Sequence, residues 1–296
     1  IEIDKDASNT IRENFPRSIH FESPIENVTE DEIDKKLKGK KVNIIFGGPP
    51  CQGFSVAGLR DPQDPRNKLF KEYVRIVNHL KPEFVVLENV PGILTMQKGE
   101  VYKEIINQFA QIGYPNMTVR ILEAATFGVP QLRPRVVIVA IRKDYSDQFS
   151  WPVSSGTTPD SVGDVLYDLM AANGWRGAKK WRDGADEIAP TVVGGSKKHG
   201  GPDLGPTRAK KAWASLGVDG MGIVDVPPDR DFVGMPRLTV RMVARLQGFP
   251  DDWAFSGKKT PAYRQVGNAF PPPVAEAVAL KIRHALTAKS RIRAVA

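Results

Sequence analysis

The sequence predicts an α/β protein: a doubly wound, mostly parallel sheet carrying a smaller, irregular domain. Three observations predict it. Over residues 1–142, short runs rich in β-branched residues alternate with stretches of helical period. From about Lys143 to residue 235 that pattern fades into Gly, Pro, Asp and Trp. It returns at Leu238–Phe249 and again after Pro271-Pro272-Pro273. The expected division is therefore a catalytic-type α/β domain over 1–142, a second domain or long insertion over 143–235, and a return to the first domain over 236–296.

Each element has its own warrant. Val42–Phe46 is an apolar run that reads as a buried strand, closed by the turn-forming Gly47-Gly48-Pro49-Pro50. Leu69, Tyr73, Ile76, Val77 and Leu80 fall on one face of a helix. Phe84–Leu87 is the next strand, Val101–Ile112 the next helix, and Met117–Leu122 and Val136–Ile141 two further strands. Gly194 to Pro202 is a loop. In the last segment Val274, Val278, Ile282 and Leu286 recur every four residues, and proline suits the start of such a helix.

Composition sets the outer bounds. The chain has 296 residues, 41% hydrophobic and 26% charged, which suits a protein with a sizeable core and no membrane span. One cysteine and no visible signal peptide point to the cytoplasm. The net charge is +8, and its placement is informative. Residues 236–296 hold 11 Lys/Arg against 3 Asp/Glu, while residues 1–142 hold 20 against 18. Within the acidic middle, Lys197, Lys198, Arg208, Lys210 and Lys211 stand against Asp203 alone, a stripe that suits either a phosphate backbone or a solvated face.

The single cysteine, Cys51, lies in Gly-Gly-Pro-Pro-Cys-Gln-Gly-Phe-Ser directly after the first strand. One cysteine makes no intrachain disulfide and no all-cysteine metal site, so it is either a packed thiol or a nucleophile. Its flanks favour the second. Two prolines fix the backbone, two glycines allow close approach, and a strand's carboxyl end is where open α/β sheets keep their chemistry. Glu88-Asn89-Val90 ends the second strand 37 residues further on. Gln131-Leu132-Arg133-Pro134-Arg135 precedes the fourth. Arg237-Leu238-Thr239-Val240-Arg241 opens the helix leading to Leu246-Gln247-Gly248-Phe249-Pro250, and Gln265-Val266-Gly267-Asn268-Ala269 follows.

In this order and spacing, the blocks closely resemble the cytosine-C5 DNA methyltransferases of bacterial restriction–modification systems. The resemblance spans almost the whole chain except the middle region. It implies a Rossmann-like S-adenosyl-L-methionine-dependent fold, double-stranded DNA as substrate, a flipped cytosine and a monomeric enzyme, with no metal. Cys51 is implied as the nucleophile that adds to cytosine C6, Glu88 as the acid at N3, and Arg135, with Arg133 beside it, as the group that holds O2. Glu2, Ile3, Ile25, Pro50, Leu69, Asn268 and Ala269 are the implied cofactor contacts. Gln52, Ser55, Lys197, Lys198, Arg208, Lys210 and Arg241 are the candidate DNA contacts, residues 143–235 being the target-recognition region. Two departures stand out. Met242 follows Arg241 where the family usually has Glu. The family's opening strand and Phe-x-Gly-x-Gly-Gly turn do not precede Ile1, so an omitted N-terminal segment, a complementing chain or a permuted order, or a non-catalytic DNA-binding relative are all to be weighed, the first being favoured. An RNA cytosine methyltransferase is the remaining alternative, disfavoured by the single cysteine.

Overall fold

The computed structural model describes residues 1–49, 65–154, 156–194 and 202–295. In chain order these form α1 (Lys5–Asn14), α2 (Glu30–Leu37), β1 (Ile44–Gly47), α3 (Pro65–Leu80), β2 (Phe84–Asn89), α4 (Glu100–Gln111), β3 (Asn116–Glu123), β4 (Pro134–Ile141), α5 (Val162–Met170), α6 (Ala178–Gly184), α7 (Thr207–Ser215), α8 (Val240–Leu246), α9 (Lys259–Asn268) and α10 (Pro272–Val295). The fold is α/β, as the alternation predicts. Among the described residues the strands make one sheet in the order β1-β2-β4-β3.

The sheet departs from expectation in one respect that matters for the site. It is mixed: β1 and β2 are parallel, but β4 runs antiparallel to both β2 and β3. The reason lies in the connection between Glu123 and Pro134. It holds only a short 3-10 turn, Ala124–Phe127, and has no helix to carry the chain back for a parallel pairing. A second departure concerns β1. Instead of being a buried strand it forms an edge among the described residues, with Phe46 47% exposed, because of these only β2 pairs with it.

The sheet is covered on both faces. Val85, Leu87, Val136 and Ile138 pack with α3 and α4 through Phe70, Val77, Ile105 and Phe109. Val86, Val137 and Val139 pack on the other face against Val274, Val278 and Ile282 of α10, the four-residue period predicted for that helix. The middle region is less irregular than its composition suggests. Its three short helices pack around Trp175, Trp181 and Trp213, and large aromatic anchors need no long aliphatic period to bury area. That core continues without a break into Leu238, Met242, Leu246 and Tyr263, so one hydrophobic cluster draws on both sides of residue 236.

α8 shows how a departure from the family pattern is absorbed. Thr239 caps the helix by accepting from the Met242 N–H at 3.3 Å, and its own N–H reaches the Met242 sulfur at 3.4 Å. A buried thioether, a weak acceptor, thus fills the place of a carboxylate in a capping box. Among the described residues no helix is long and apolar enough to cross a membrane.

Candidate active site

The site is built at the carboxyl edge of β1 and β2. Asn89 at the end of β2 donates from Nδ2 to the Pro49 carbonyl at 3.3 Å, which ties the loop leaving β1 to the strand beside it. A Cβ on Gly48 would lie 3.3 Å from Glu88 Oε2, so a glycine there leaves room for the carboxyl group. Gly47 is needed for a different reason: a Cβ would meet the Tyr73 ring at 2.2 Å.

The antiparallel strand then delivers the arginine. Glu88 lies opposite Val137 in the register of β2 and β4. Opposed residues share a face and side chains alternate, so Arg135, two residues before Val137, is the diagonal neighbour of Glu88. Its Nε donates to Glu88 Oε1 at 2.9 Å and its Nη1 to the Pro134 carbonyl at 2.9 Å. Nη2 of Arg135 and Oε2 of Glu88 make no hydrogen bond among the described residues. Burial raises the Glu88 carboxyl above its ordinary value, against the opposing pull of the Arg135 and Arg133 charges. Burial also lowers Arg135, with Glu88 opposing.

Arg133 is placed differently. It is fully buried and its guanidinium is spent on main-chain carbonyls. Nη2 donates to Gly267 at 2.6 Å and Ala269 at 3.1 Å, and Nη1 donates to Val192. Burial first, and the neighbouring Arg135 cation second, push it down to about 9. Two glutamines that carried no assigned role from sequence, Gln131 and Gln247, are also fully buried and join it. Gln131 Nε2 donates to Gln247 Oε1 at 2.7 Å, and Gln247 Nε2 donates to the Ala269 carbonyl at 2.8 Å. Both sit in the blocks that carry the family resemblance. A glutamine between apolar neighbours was the available signal.

A cavity of about 500 Å³ lies between α1, α9 and the segment that follows α8. Glu2, Asn268 and Ala269 line it together with Asp4, Arg264 and the aromatic wall of Phe249, Trp253 and Phe255. Three of the other expected cofactor contacts do not line it. Ile3 is 67% exposed and Ile25 packs with Val28, Ile33 and Ile76. Leu69 sits half-buried on α3, and none of the three lines the cavity. Pro50 is outside the described residues, as are Cys51, Gln52, Ser55, Lys197 and Lys198. Of the expected DNA contacts that are described, Arg208 is exposed on α7 and in no ion pair among the described residues. Lys210 is paired with Asp203 at 2.7 Å. Arg241 is not brought to that cluster: it donates to the carbonyls of Pro250 at 3.2 Å and Trp253 at 2.8 Å, bracing the cavity's aromatic wall. No group of His, Cys, Asp and Glu suited to a metal ion occurs among the described residues.

A family model for C-5 cytosine-specific DNA methylases matches residues 1–284. The chain belongs to that family. It is 46% identical over 302 residues to the type II methyltransferase M.NaeI of Lentzea aerocolonigenes, spanning all of this chain and 71% of that relative. It is 43% identical over 292 residues to the type II methyltransferase M.NgoMIV of Neisseria gonorrhoeae, covering 97% of this chain and 89% of that one. Its fold is similar to the crystal structure of a prophage-encoded DNA modification methyltransferase from E. coli, with a TM-score of 0.67 at 25% identity over 97% and 91% of the two chains. The fold alone is shared with the Entamoeba histolytica methyltransferase EhMeth, with a TM-score of 0.61 at 19% identity over 95% and 87%. Within this C-5 cytosine methylase, the Glu88–Arg135 pair occupies the expected strand ends, and Arg133 lies beneath them.

Proposed function

We propose that this family member transfers a methyl group from S-adenosyl-L-methionine to C5 of cytosine in a specific duplex DNA sequence, with residues 143–235 as the recognition region and Cys51 as the nucleophile. The observation that carries the reading is the juxtaposition of Glu88 and Arg135 beside Gly48, three residues before the thiol. The cavity fits the cofactor in kind: its volume lies in the small-molecule range, its wall is aromatic, and Glu2 supplies a carboxylate suited to ribose hydroxyls. Glu2, Asn268 and Ala269 are the residues that would hold it. S-adenosyl-L-methionine, when bound, supplies an electrophilic methyl group.

The chain's own residues do the rest. Cytosine C5 is a poor nucleophile until a thiolate adds to C6, and Cys51 makes that bond. Electron density then moves towards N3, where Glu88, whose carboxyl is raised above its ordinary value by burial, delivers a proton or a hydrogen bond. Arg135, held by its Nε on Glu88, has an Nη2 without a hydrogen bond among the described residues, and it donates to O2 and stabilises the same charge. After C5 is methylated, loss of its proton expels the thiol and returns Cys51. The target must leave the base stack to reach these groups, which is why a separate recognition region is needed to grip the duplex.

The test uses duplex DNA containing 5-fluorocytosine with labelled S-adenosyl-L-methionine. A covalent protein–DNA complex is expected, since fluorine does not leave as a proton, and Cys51→Ser should abolish it. Absence of any complex with a mixed-sequence pool would overturn the enzymatic reading. Bisulfite sequencing of an expressing host supplies the recognition sequence.

A further inference from the structure

Two segments of the middle region are zipped together at the surface. Residues 173–176 lie between α5 and α6, and residues 227–232 belong to no helix or strand. Asn173 Nδ2 donates to the Pro227 carbonyl at 3.0 Å, the Arg176 N–H to the Arg230 carbonyl at 3.1 Å, and Trp175 Nε1 to the Phe232 carbonyl at 2.9 Å. The Trp175 ring, itself buried, stands edge-on to Phe232 with centroids 5.8 Å apart. Asp231 lies between the two pinned carbonyls, and its Oδ1 accepts from Arg176 Nη1 at 2.7 Å. That ion pair is turned outward, its side chains 67% and 72% exposed. Among the described residues neither side chain makes a further hydrogen bond, so Arg176 retains Nε and Nη2 as donors and Asp231 retains Oδ2 as an acceptor.

An ion pair this exposed adds little to stability. Pinning the backbone on both sides of Asp231 does little for the fold, but it fixes the direction in which the pair points, which is what recognition needs. Charge selects the partner. Residues 173–184 and 227–232 together hold five Lys/Arg against three Asp/Glu, and Lys179 and Lys180 of α6 are exposed and in no ion pair among the described residues. Such a surface suits a phosphate backbone. Hydrogen-bonding pattern then selects the base pair. In the major groove a G·C pair presents two acceptors on guanine and, beside them, the amino donor of cytosine. An arginine fork and a carboxylate held side by side present the complementary order of donor, donor, acceptor. An A·T pair places its donor between two acceptors and does not match.

We propose that Arg176 and Asp231 are specificity-determining residues that read one G·C pair of the recognition sequence in the major groove, and that Trp175 is the positioning residue that aims them. The inference rests on the functional reading above and deepens it. Base reading falls to this pinned pair, and Lys179 and Lys180 beside it serve the phosphates.

The test starts from the sequence that bisulfite mapping assigns to the native protein, with duplexes changed one base pair at a time and compared by fluorescence anisotropy. In the native protein, changing one G·C pair other than the target pair to A·T should weaken binding at least about fivefold. Arg176→Ala and Asp231→Ala should each lose most of that preference and keep the preferences at all other positions. Arg176→Lys keeps the charge and the backbone bond to Arg230 but has no fork, and should lose it too. Trp175→Phe keeps a ring beside Phe232 without the indole N–H, and should blur the same position. Bisulfite sequencing of hosts expressing these variants should show methylation at sites altered at that one pair, a change that lowered stability alone does not produce. Variants that keep the native preference at every position, or that lose affinity equally at all positions, overturn the proposal. A native protein that neither methylates nor binds any duplex overturns the functional reading, and the proposal with it.

Discussion

Glu83, just before β2, and Glu88, near its carboxyl end, are the same residue type in two different settings. At the amino end Glu83 is fully buried and closed in: Lys41 and Arg142 pair with its carboxylate, the latter at 3.3 Å, and Asn43 Nδ2 donates at 3.2 Å. At the carboxyl end Glu88 keeps a fifth of its side chain exposed, has among the described residues one cation within bonding distance, and has Oε2 facing a glycine. Glu83 is a knot that ties β1, β2 and the residue after β4 together. Glu88 is a carboxyl group held at one oxygen and, among the described residues, without a hydrogen bond at the other, which suits the acid role proposed for it. The lesson is that a buried charge acquires a structural role when all its bonding positions are filled from within the chain, and a chemical one when some are left open.

The sharpest way to break this comparison is to remove each carboxylate by the same substitution. Glu88→Gln still accepts from Arg135 but has no proton to give. Its kcat should fall by about a hundredfold or more, the usual share of a general acid, with duplex affinity retained and stability changed by less than about 1 kcal/mol. Steady-state kinetics beside a gel-shift assay and thermal melting check all three. Should Glu88→Gln instead unfold the protein while keeping its specific rate, the two ends of the strand would be alike.

Glu83→Gln should do the reverse. It strips the charge from a carboxylate that two cations share, but Lys41 is more than half exposed and Arg142 about a quarter, so solvent screens much of the gain. A loss of about 2 kcal/mol is expected, a melting temperature roughly 5 °C lower, with activity per folded molecule unchanged.

The pH profile sharpens the contrast further. Because burial raises Glu88, the folded chain binds that proton more tightly than the unfolded chain does. Protonated Glu88 is therefore lost as pH rises through the raised value, and stability falls in the same direction over that window. kcat should depend on the Glu88 proton, and removing the Arg135 charge with Arg135→Gln should move the limb that reports it to higher pH, because that charge opposes the raised value. A limb that stays in place would assign it to another group.

The smallest effect extends the comparison to the surface. Lys210 has its partner in Asp203, while Arg208 on the same helix has none among the described residues. Arg208→Ala should weaken duplex binding severalfold at 0.1 M salt and lower the slope of log affinity against log salt by about 1, whereas Lys210→Ala should lower it less. Fluorescence anisotropy across a salt series measures both.

Much of this was legible in the sequence, and the reasons are specific. Strand ends are marked by where apolar runs stop, so the places of Glu88 and Arg135 followed from Phe84–Leu87 and Val136–Ile141. Strand direction is not encoded in an apolar run. The antiparallel setting of β4 was written only in the shortness of the chain between Glu123 and Pro134, and without that setting Arg135 would lie at the far end of the sheet from Glu88. The partners of Arg241, Lys210 and Arg133 were beyond reach for another reason. A guanidinium or ammonium next to a motif reads the same whether it meets a phosphate or a carbonyl, and the carbonyls that claim Arg133 lie about 60 and 135 residues away along the chain. The Trp-centred helices of the middle region escaped because three anchors can replace a periodic stripe.

One contact between the two ends of the chain has a further consequence. Asn14 at the end of α1 pairs through its side-chain amide with both the N–H and the carbonyl of Ala254, and Thr10 donates to Gln265 at 2.6 Å. These links span some 240 and 255 residues. On a ribosome, α1 emerges long before its partners exist, and the sheet's α10 face stays bare until the last helix has been made. The middle region, with its own tryptophan core, forms in that interval, but α8 and α9 must arrive before that core is complete. Closing these faces therefore requires contacts of long sequence separation, the kind that slow folding because loop-closure entropy must be met before such contacts form.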